Sequence, residues 1–211
     1  YTGDIHGDIR RILKWLDQIR QQNVSNAVLI LLGDAGLNYY LDERDMKQKE
    51  RLQQKINELK EEKIFVQILF VRGNHEARPS KLDTYKEKLV YDGSAYVEEK
   101  YPDLIFLKDG ERYRVEDKNF MTIGGGYSKD FFERVLRGYG YWYDEQLSDE
   151  EFQKIAEKAA KMAEDTYVLS HMLPIKWSPN EGDHEVDKQA RRMEVWLQKI
   201  ADIFGEHLLR W

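Results

Sequence analysis

The sequence contains no cysteine. That absence removes disulfides and thiolate metal ligands together, so any bound metal must be held by oxygen and imidazole nitrogen. No apolar run approaches the roughly 20 residues needed to cross a bilayer, and the expectation is a soluble, cytoplasmic protein with no membrane partner. Basic residues are in the minority, 33 Lys and Arg against 39 Asp and Glu, for a formal charge of -6. A broad nucleic-acid-binding face needs a surplus of cations to displace counterions from phosphates, so that class is disfavoured. Two divalent cations would offset several of these charges locally, which keeps a phosphate-bearing substrate open. No repeat, low-complexity tract or Pro-, Gly- or Ser-rich linker divides the chain. Its 211 residues suffice for one well-buried core, and residues 1–211 are read as a single domain.

What is present is apolar and aromatic enough to fold, with 41% hydrophobic residues, 13 Tyr and 5 Trp. Apolar runs of strand length at Ala27 to Leu32, Val66 to Val71 and Thr166 to Leu169 are separated by segments of helical period, an α/β layout. Asp8 to Gln22 places Ile9, Ile12, Leu13, Leu16 and Ile19 on one helical face, with Asp8 as N-cap. Glu43 to Lys63 reads as a solvated amphipathic surface helix. Ser148 followed by Glu151 forms a capping-box pattern opening a helix to about Met162, and Met193 to Ile203 reads as another helix. Leu104 to Leu107, Tyr113 to Val115 and Phe120 to Ile123 read as short strands of a meander, joined by the turn signals at Asp109-Gly110 and Asp117-Lys118-Asn119.

Four polar clusters fall where strands should end: Gly3-Asp4-Ile5-His6-Gly7, Gly33-Asp34-Ala35-Gly36, Gly73-Asn74-His75-Glu76 and Ser170-His171. The carboxyl ends of strands in open α/β sheets line a ligand crevice, so residues distant in sequence can converge there. Asp4 and His6 can hold one metal, and Asp34 has two carboxylate oxygens with which to bridge it to a second, which Asn74 and His171 would ligate. Donors of this kind suit Mn, Fe or Zn. Two such ions can activate a shared water and stabilise the attacking and leaving oxygens of phosphoryl transfer.

In order and in neighbouring residues these clusters resemble the calcineurin-like metallophosphoesterase superfamily, whose pattern runs D-x-H, G-D, G-N-H-D/E, H and G-H-x-H. The resemblance implies a four-layer α/β/β/α sandwich with two mixed sheets. It implies two divalent metals, Mn favoured, with Asp4 and His6 on the first, Asp34 bridging and Asn74 and His171 on the second. His75 becomes the acid that protonates the leaving oxygen, and Asp34 and His75 the catalytic pair. The implied reaction is hydrolysis of a phosphomonoester or phosphodiester through a dimetal-activated water. Gly124-Gly-Gly-Tyr-Ser-Lys-Asp130, the segment Trp142 to Leu147 and His171-Met-Leu-Pro174 resemble bacterial and phage members of this group. The second cluster departs from the G-D-x-x-D-R-G of protein Ser/Thr phosphatases, so the phosphate-binding arginine of that branch is absent. A protein phosphatase, a nuclease and a non-catalytic binding module are the alternatives. G-H-x-H is not found, and the expectation is that the natural protein extends past both termini and carries it beyond Trp211.

Other features have two readings. Gly124 to Gly126 is a turn or a phosphate-contacting loop. Tyr127, Trp142 and Tyr143 are core or a substrate wall, core being the commoner place for aromatics. Among Arg72, Arg78, Arg134 and Arg137, Arg78 stands three residues after His75 and is singled out to meet the substrate phosphate. His184 and His207 have no motif around them and read as exposed side chains.

Overall fold

Ile12, Leu16 and Ile19 share one buried face, and the chain forms α1 (Arg10–Gln21) around them. Asp8 precedes the N-cap position and still caps the first turn, its Oδ1 accepting Arg10 N at 3.2 Å. A turn from Ile5 to Asp8 runs straight into the helix, so Ile9 is already helical at the N-cap position, and the Asp8 carboxylate is held by the Arg10 guanidinium at 2.7 and 2.6 Å. Then follow β1 (Asn26–Leu32), α2 (Glu43–Glu61), β2 (Phe65–Val71), β3 (Tyr85–Val90), β4 (Gly93–Glu98), β5 (Leu104–Leu107), β6 (Arg112–Val115) and β7 (Lys118–Ile123). The short α3 (Phe131–Leu136), α4 (Asp149–Ala159), β8 (Thr166–Ser170), α5 (Lys188–Phe204) and β9 (Leu208–Arg210) complete the order. This computed structural model describes residues 2–22, 24–162, 164–178 and 188–211. Among them, no helix is long and apolar enough to cross a membrane.

The strands form two mixed sheets, ordered β1-β2-β5-β4-β3 and β6-β7-β8-β9. Alternation along each strand divides the apolar side chains among three cores. Val66, Ile68 and Phe70 of β2, with Leu104 and Phe106 of β5, meet the buried faces of α1 and α2. Leu69, Val71, Ile105 and Leu107 point the other way, to pack on Tyr113 and Leu169 of the second sheet. Met121, Ile123 and Val168 of that sheet bury against Phe152 and Ile155 of α4 and Met193, Leu197 and Ile200 of α5. Three cores between four layers make the α/β/β/α sandwich.

Two local expectations need correction, and one hairpin went unread. The anticipated meander is split, because β5 joins the first sheet parallel to β2 while β6 and β7 open the second. The β3–β4 hairpin gave no apolar alternation: β3 is an edge strand whose Lys86 to Leu89 are exposed. And α2 is more than a solvated helix, since Asp45, Lys49 and Gln53 are buried with partners. Lys49 reaches Glu98 at 2.5 Å and Asn38 at 2.8 Å, and the Asp45 carboxylate accepts the backbone N–H groups of Tyr40 and Leu41, each at 2.8 Å.

The capping box at α4 is formed in both directions: Glu151 N donates to Ser148 Oγ at 3.2 Å and Ser148 N to Glu151 Oε2 at 2.7 Å. Ser148→Ala is expected to cost about 1 kcal/mol, read as a lower urea midpoint at unchanged slope.

Candidate metal centre

Parallel register brings the polar clusters together. Leu32 pairs with Val71, so β1 and β2 end side by side and Gly33-Asp34 leaves the first sheet next to Arg72-Gly73-Asn74. Across the sandwich Ile123 pairs with Ser170, which sets Gly124 beside His171. Thr2 bridges in parallel to Leu31, so Asp4 emerges from the same edge. Four loops converge at the carboxyl ends of the strands.

The backbone stitches them tightly. The amides of Ile5 and His6 both donate to the Asp34 carbonyl, at 3.1 and 2.8 Å, and Gly7 N donates to Ala35 O at 2.9 Å. Asp4, His6 and Asp34 adopt φ of 52°, 44° and 50°. Left-handed backbone is costly for residues with a Cβ and tends to persist where surrounding contacts fix it at a functional site. Buried Glu76 is one such fixture, its two carboxylate oxygens accepting Gly36 N at 3.0 Å and Gly73 N at 3.1 Å. Burial and the neighbouring Asp34 carboxylate lift the Glu76 carboxyl to about 7. Sequence reasoning quoted Glu76 within its motif but gave it no part.

Asp34 lies at the centre, almost fully buried. Its Oδ1 accepts His75 N at 3.0 Å. Its Oδ2 faces the Nε2 atoms of His171, His75 and His6 at 3.6, 3.9 and 4.0 Å, and Asp4 Oδ1 lies 3.9 Å from His6 Nε2. Asp4, Asp34 and His171 offer donor atoms within 4.8 Å of one another. These separations exceed hydrogen bonds and leave room for a cation about 2 Å from each donor.

His171 adds a chemical argument. Its Nδ1 is 2.9 Å from Leu32 O and its Nε2 is 2.8 Å from Asn74 Oδ1. A neutral imidazole donating from Nδ1 presents the Nε2 lone pair to a carbonyl oxygen, and two such acceptors side by side are what a cation requires. The amide is fixed in that sense: Asn74 Nδ2 donates to Ser128 Oγ at 2.9 Å, Ser128 Oγ donates to Glu145 Oε2 at 2.5 Å, and Ser128 N donates to Glu145 Oε1 at 2.7 Å. Ser128→Ala removes the nearer of the two partners of Asn74 Nδ2, the other being His75 Nε2 at 3.2 Å. It is expected to weaken Mn binding by about 10- to 100-fold, measured by titration calorimetry. The sequence signal for this support was thin, since Ser128 and Glu145 stood only inside two segments of family resemblance.

Burial pushes the His75 imidazole below its ordinary value, opposed by the Asp34 carboxylate. His6 and His75 stand with ring centroids 5.6 Å apart, and both line a cavity of about 410 Å³ together with Asp34 and Arg134. Arg78 is not brought to this cavity. Its guanidinium is committed to Glu151 at 2.5 Å and to the carbonyls of Asp144 and Gln146 at 2.9 and 2.8 Å, beside a separate cavity. Arg72 is buried on Asp109 and the Glu145 carbonyl, and Arg137 pairs with Glu133 on the surface. Arg134 is thus the one of these four that lines the cavity, with its guanidinium also donating to Tyr39 Oη at 2.6 Å and to Gly140 O at 2.9 and 3.1 Å.

Gly124 to Gly126 form a turn whose amides donate to Asp109, Arg72 O and Glu145 O at 2.5, 2.7 and 3.3 Å, which leaves them no donor for phosphate. Tyr143 is 89% exposed, so it is not core. It lines the cavity beside Arg78, as does Tyr127. Trp142 is half-buried. His207 is partly exposed, 3.3 Å from Asp165, and His184 lies outside the described residues.

Residues 1–203 match the family described as calcineurin-like phosphoesterase. No curated protein matches the sequence.

Proposed function

The chain belongs to the calcineurin-like phosphoesterases, and from that premise we propose that it hydrolyses a phosphomonoester or phosphodiester at the Asp34 cluster. Asp4 and His6 would hold one divalent cation and Asn74 and His171 a second, Asp34 would serve both, and Mn is the favoured metal. When bound, such a pair supplies Lewis acidity and an activated water for in-line displacement. The chain's own residues supply the rest. Ser128 holds the Asn74 amide and Leu32 O holds the His171 ring, so each donor is oriented before a ligand arrives.

His75 delivers a proton to the leaving oxygen. Its main-chain N–H is bound to Asp34, its ring lines the cavity with Nε2 3.2 Å from Asn74 Nδ2, and an anionic phosphoester beside it favours the protonated imidazole. Arg134 lines the same cavity and offers the substrate phosphate a cation.

One observation carries this reading: three histidine Nε2 atoms lie 3.6, 3.9 and 4.0 Å from a single buried carboxylate oxygen. The test is metal analysis of the purified protein with hydrolysis of a generic aryl phosphate monoester and diester, with and without Mn. Expected are bound divalent metal, turnover lost on chelation and restored by Mn, and a drop of about a hundredfold or more in His75→Ala. Turnover that survives complete chelation, or that His75→Ala leaves intact, overturns it.

A further inference from the structure

The cavity off the Asp34 cluster carries a second kind of chemistry. Beyond His6, Asp34 and His75, its lining includes Tyr39, Tyr40, Gln48 and Arg134. Tyr39 and Tyr40 meet edge to face with ring centroids 4.6 Å apart and planes at 89°. Both are held by residues that line the same cavity, Arg44, Asp45 and Arg134. The Arg44 guanidinium lies 3.4 Å from the Tyr40 ring centroid and is itself fixed by Asp42. The Tyr40 and Leu41 amides are anchored on buried Asp45, and Arg134 donates to the Tyr39 hydroxyl at 2.6 Å. Tyr40 nevertheless remains 49% exposed. A rigid aromatic ring left open beside a catalytic cluster binds flat partners at low cost in side-chain entropy.

Gln48 stands one turn after Arg44 on α2, half-buried in the same lining, and its amide has no partner among the described residues. A free primary amide offers both donor and acceptor, which matches the edge of a nucleobase. At about 410 Å³ the cavity falls in the range of small-molecule sites. The formal charge of -6 disfavours a polymeric nucleic acid.

From the juxtaposition of Tyr39, Tyr40 and Gln48 with the Asp34 cluster, and resting on the phosphoesterase reading, we infer that the substrate is a nucleotide. Its base stacks on the exposed part of Tyr40, since Arg134 already lies 5.3 Å from the Tyr39 ring centroid; its edge meets Gln48, and its phosphate points toward Arg134 and His75.

The test compares adenosine 5′-monophosphate with ribose 5-phosphate by titration calorimetry on the full, metal-free chain. Both ligands carry the same phosphate, so its contribution cancels and the ratio reports the base alone. Base stacking on an aromatic side chain predicts that the nucleotide binds about tenfold tighter or more. Tyr40→Ala should bring the two affinities together, and Gln48→Leu should narrow the gap. Equal affinities in the wild-type chain, or no detectable binding of the nucleotide at millimolar concentration, overturns the inference. Tighter binding of phosphotyrosine than of adenosine 5′-monophosphate also overturns it, in favour of an aryl ester. Absence of Mn-dependent hydrolysis tells instead against the phosphoesterase reading, and the binding ratio is read without it.

Discussion

Asp34→Asn is expected to lower metal occupancy at both positions and to reduce hydrolysis by about a hundredfold or more. The substitution preserves shape, and an asparagine Oδ1 can still accept His75 N, the bond that spans 3.0 Å in the wild-type chain. What changes is the other atom. An amide N–H replaces the carboxylate oxygen around which the three histidine Nε2 atoms gather. Those lone pairs would then face a donor instead of a cation. Removing a buried, metal-free carboxylate also relieves desolvation, so the variant should unfold at the same urea concentration as the wild type or higher. Metal content by elemental analysis, beside a urea titration, separates lost ligation from lost fold. Wild-type occupancy at both positions would remove Asp34 from its bridging role.

Gly73→Ala is expected to do comparable damage without altering any donor. A Cβ at residue 73 would lie 1.9 Å from Asp34 Oδ1 and 2.3 Å from Asp34 N. Because one of these atoms is backbone, no rotamer change resolves the clash; the two loops must part. Overpacking of this kind costs about 1–3 kcal/mol. The same movement displaces Asp34 from the histidines and strains the Glu76 bonds to Gly36 and Gly73. The outcome should be a lower urea midpoint together with Mn affinity weakened by about tenfold or more. Full Mn affinity in this variant would mean that the loops have slack the close approach denies.

Gly33 shows the same constraint from the other sheet. There a Cβ would meet His171 Nδ1 at 2.2 Å, and φ is +91°. By contrast Gly138 has open space around it. Glycines at strand ends are visible in any sequence, but which of them another backbone approaches is not. The same holds for the arginines. Arg72, Arg78, Arg134 and Arg137 are alike in one dimension, and three find partners away from the cluster. Arg78, chosen for its place after His75, becomes a strut to α4. Arg134 reaches the cavity from a short helix whose Phe132 and Leu136 are exposed, so no amphipathic pattern announces it.

Sequence by itself determined the alternating α/β character and the identity and order of the polar clusters. Strands buried on both faces must be continuous apolar runs, and β1, β2, β5 and β8 show themselves that way. It also determined that no thiolate takes part in the cluster, since the chain has no cysteine to offer one. Tertiary structure alone decided how those clusters meet: the register of Leu32 with Val71 and of Ile123 with Ser170, the sense of the Asn74 amide on Ser128 and Glu145, and the tyrosine pair beside His75. Each depends on atoms brought together across tens of residues, and a local pattern carries no information about a contact whose partner is set by packing in another layer.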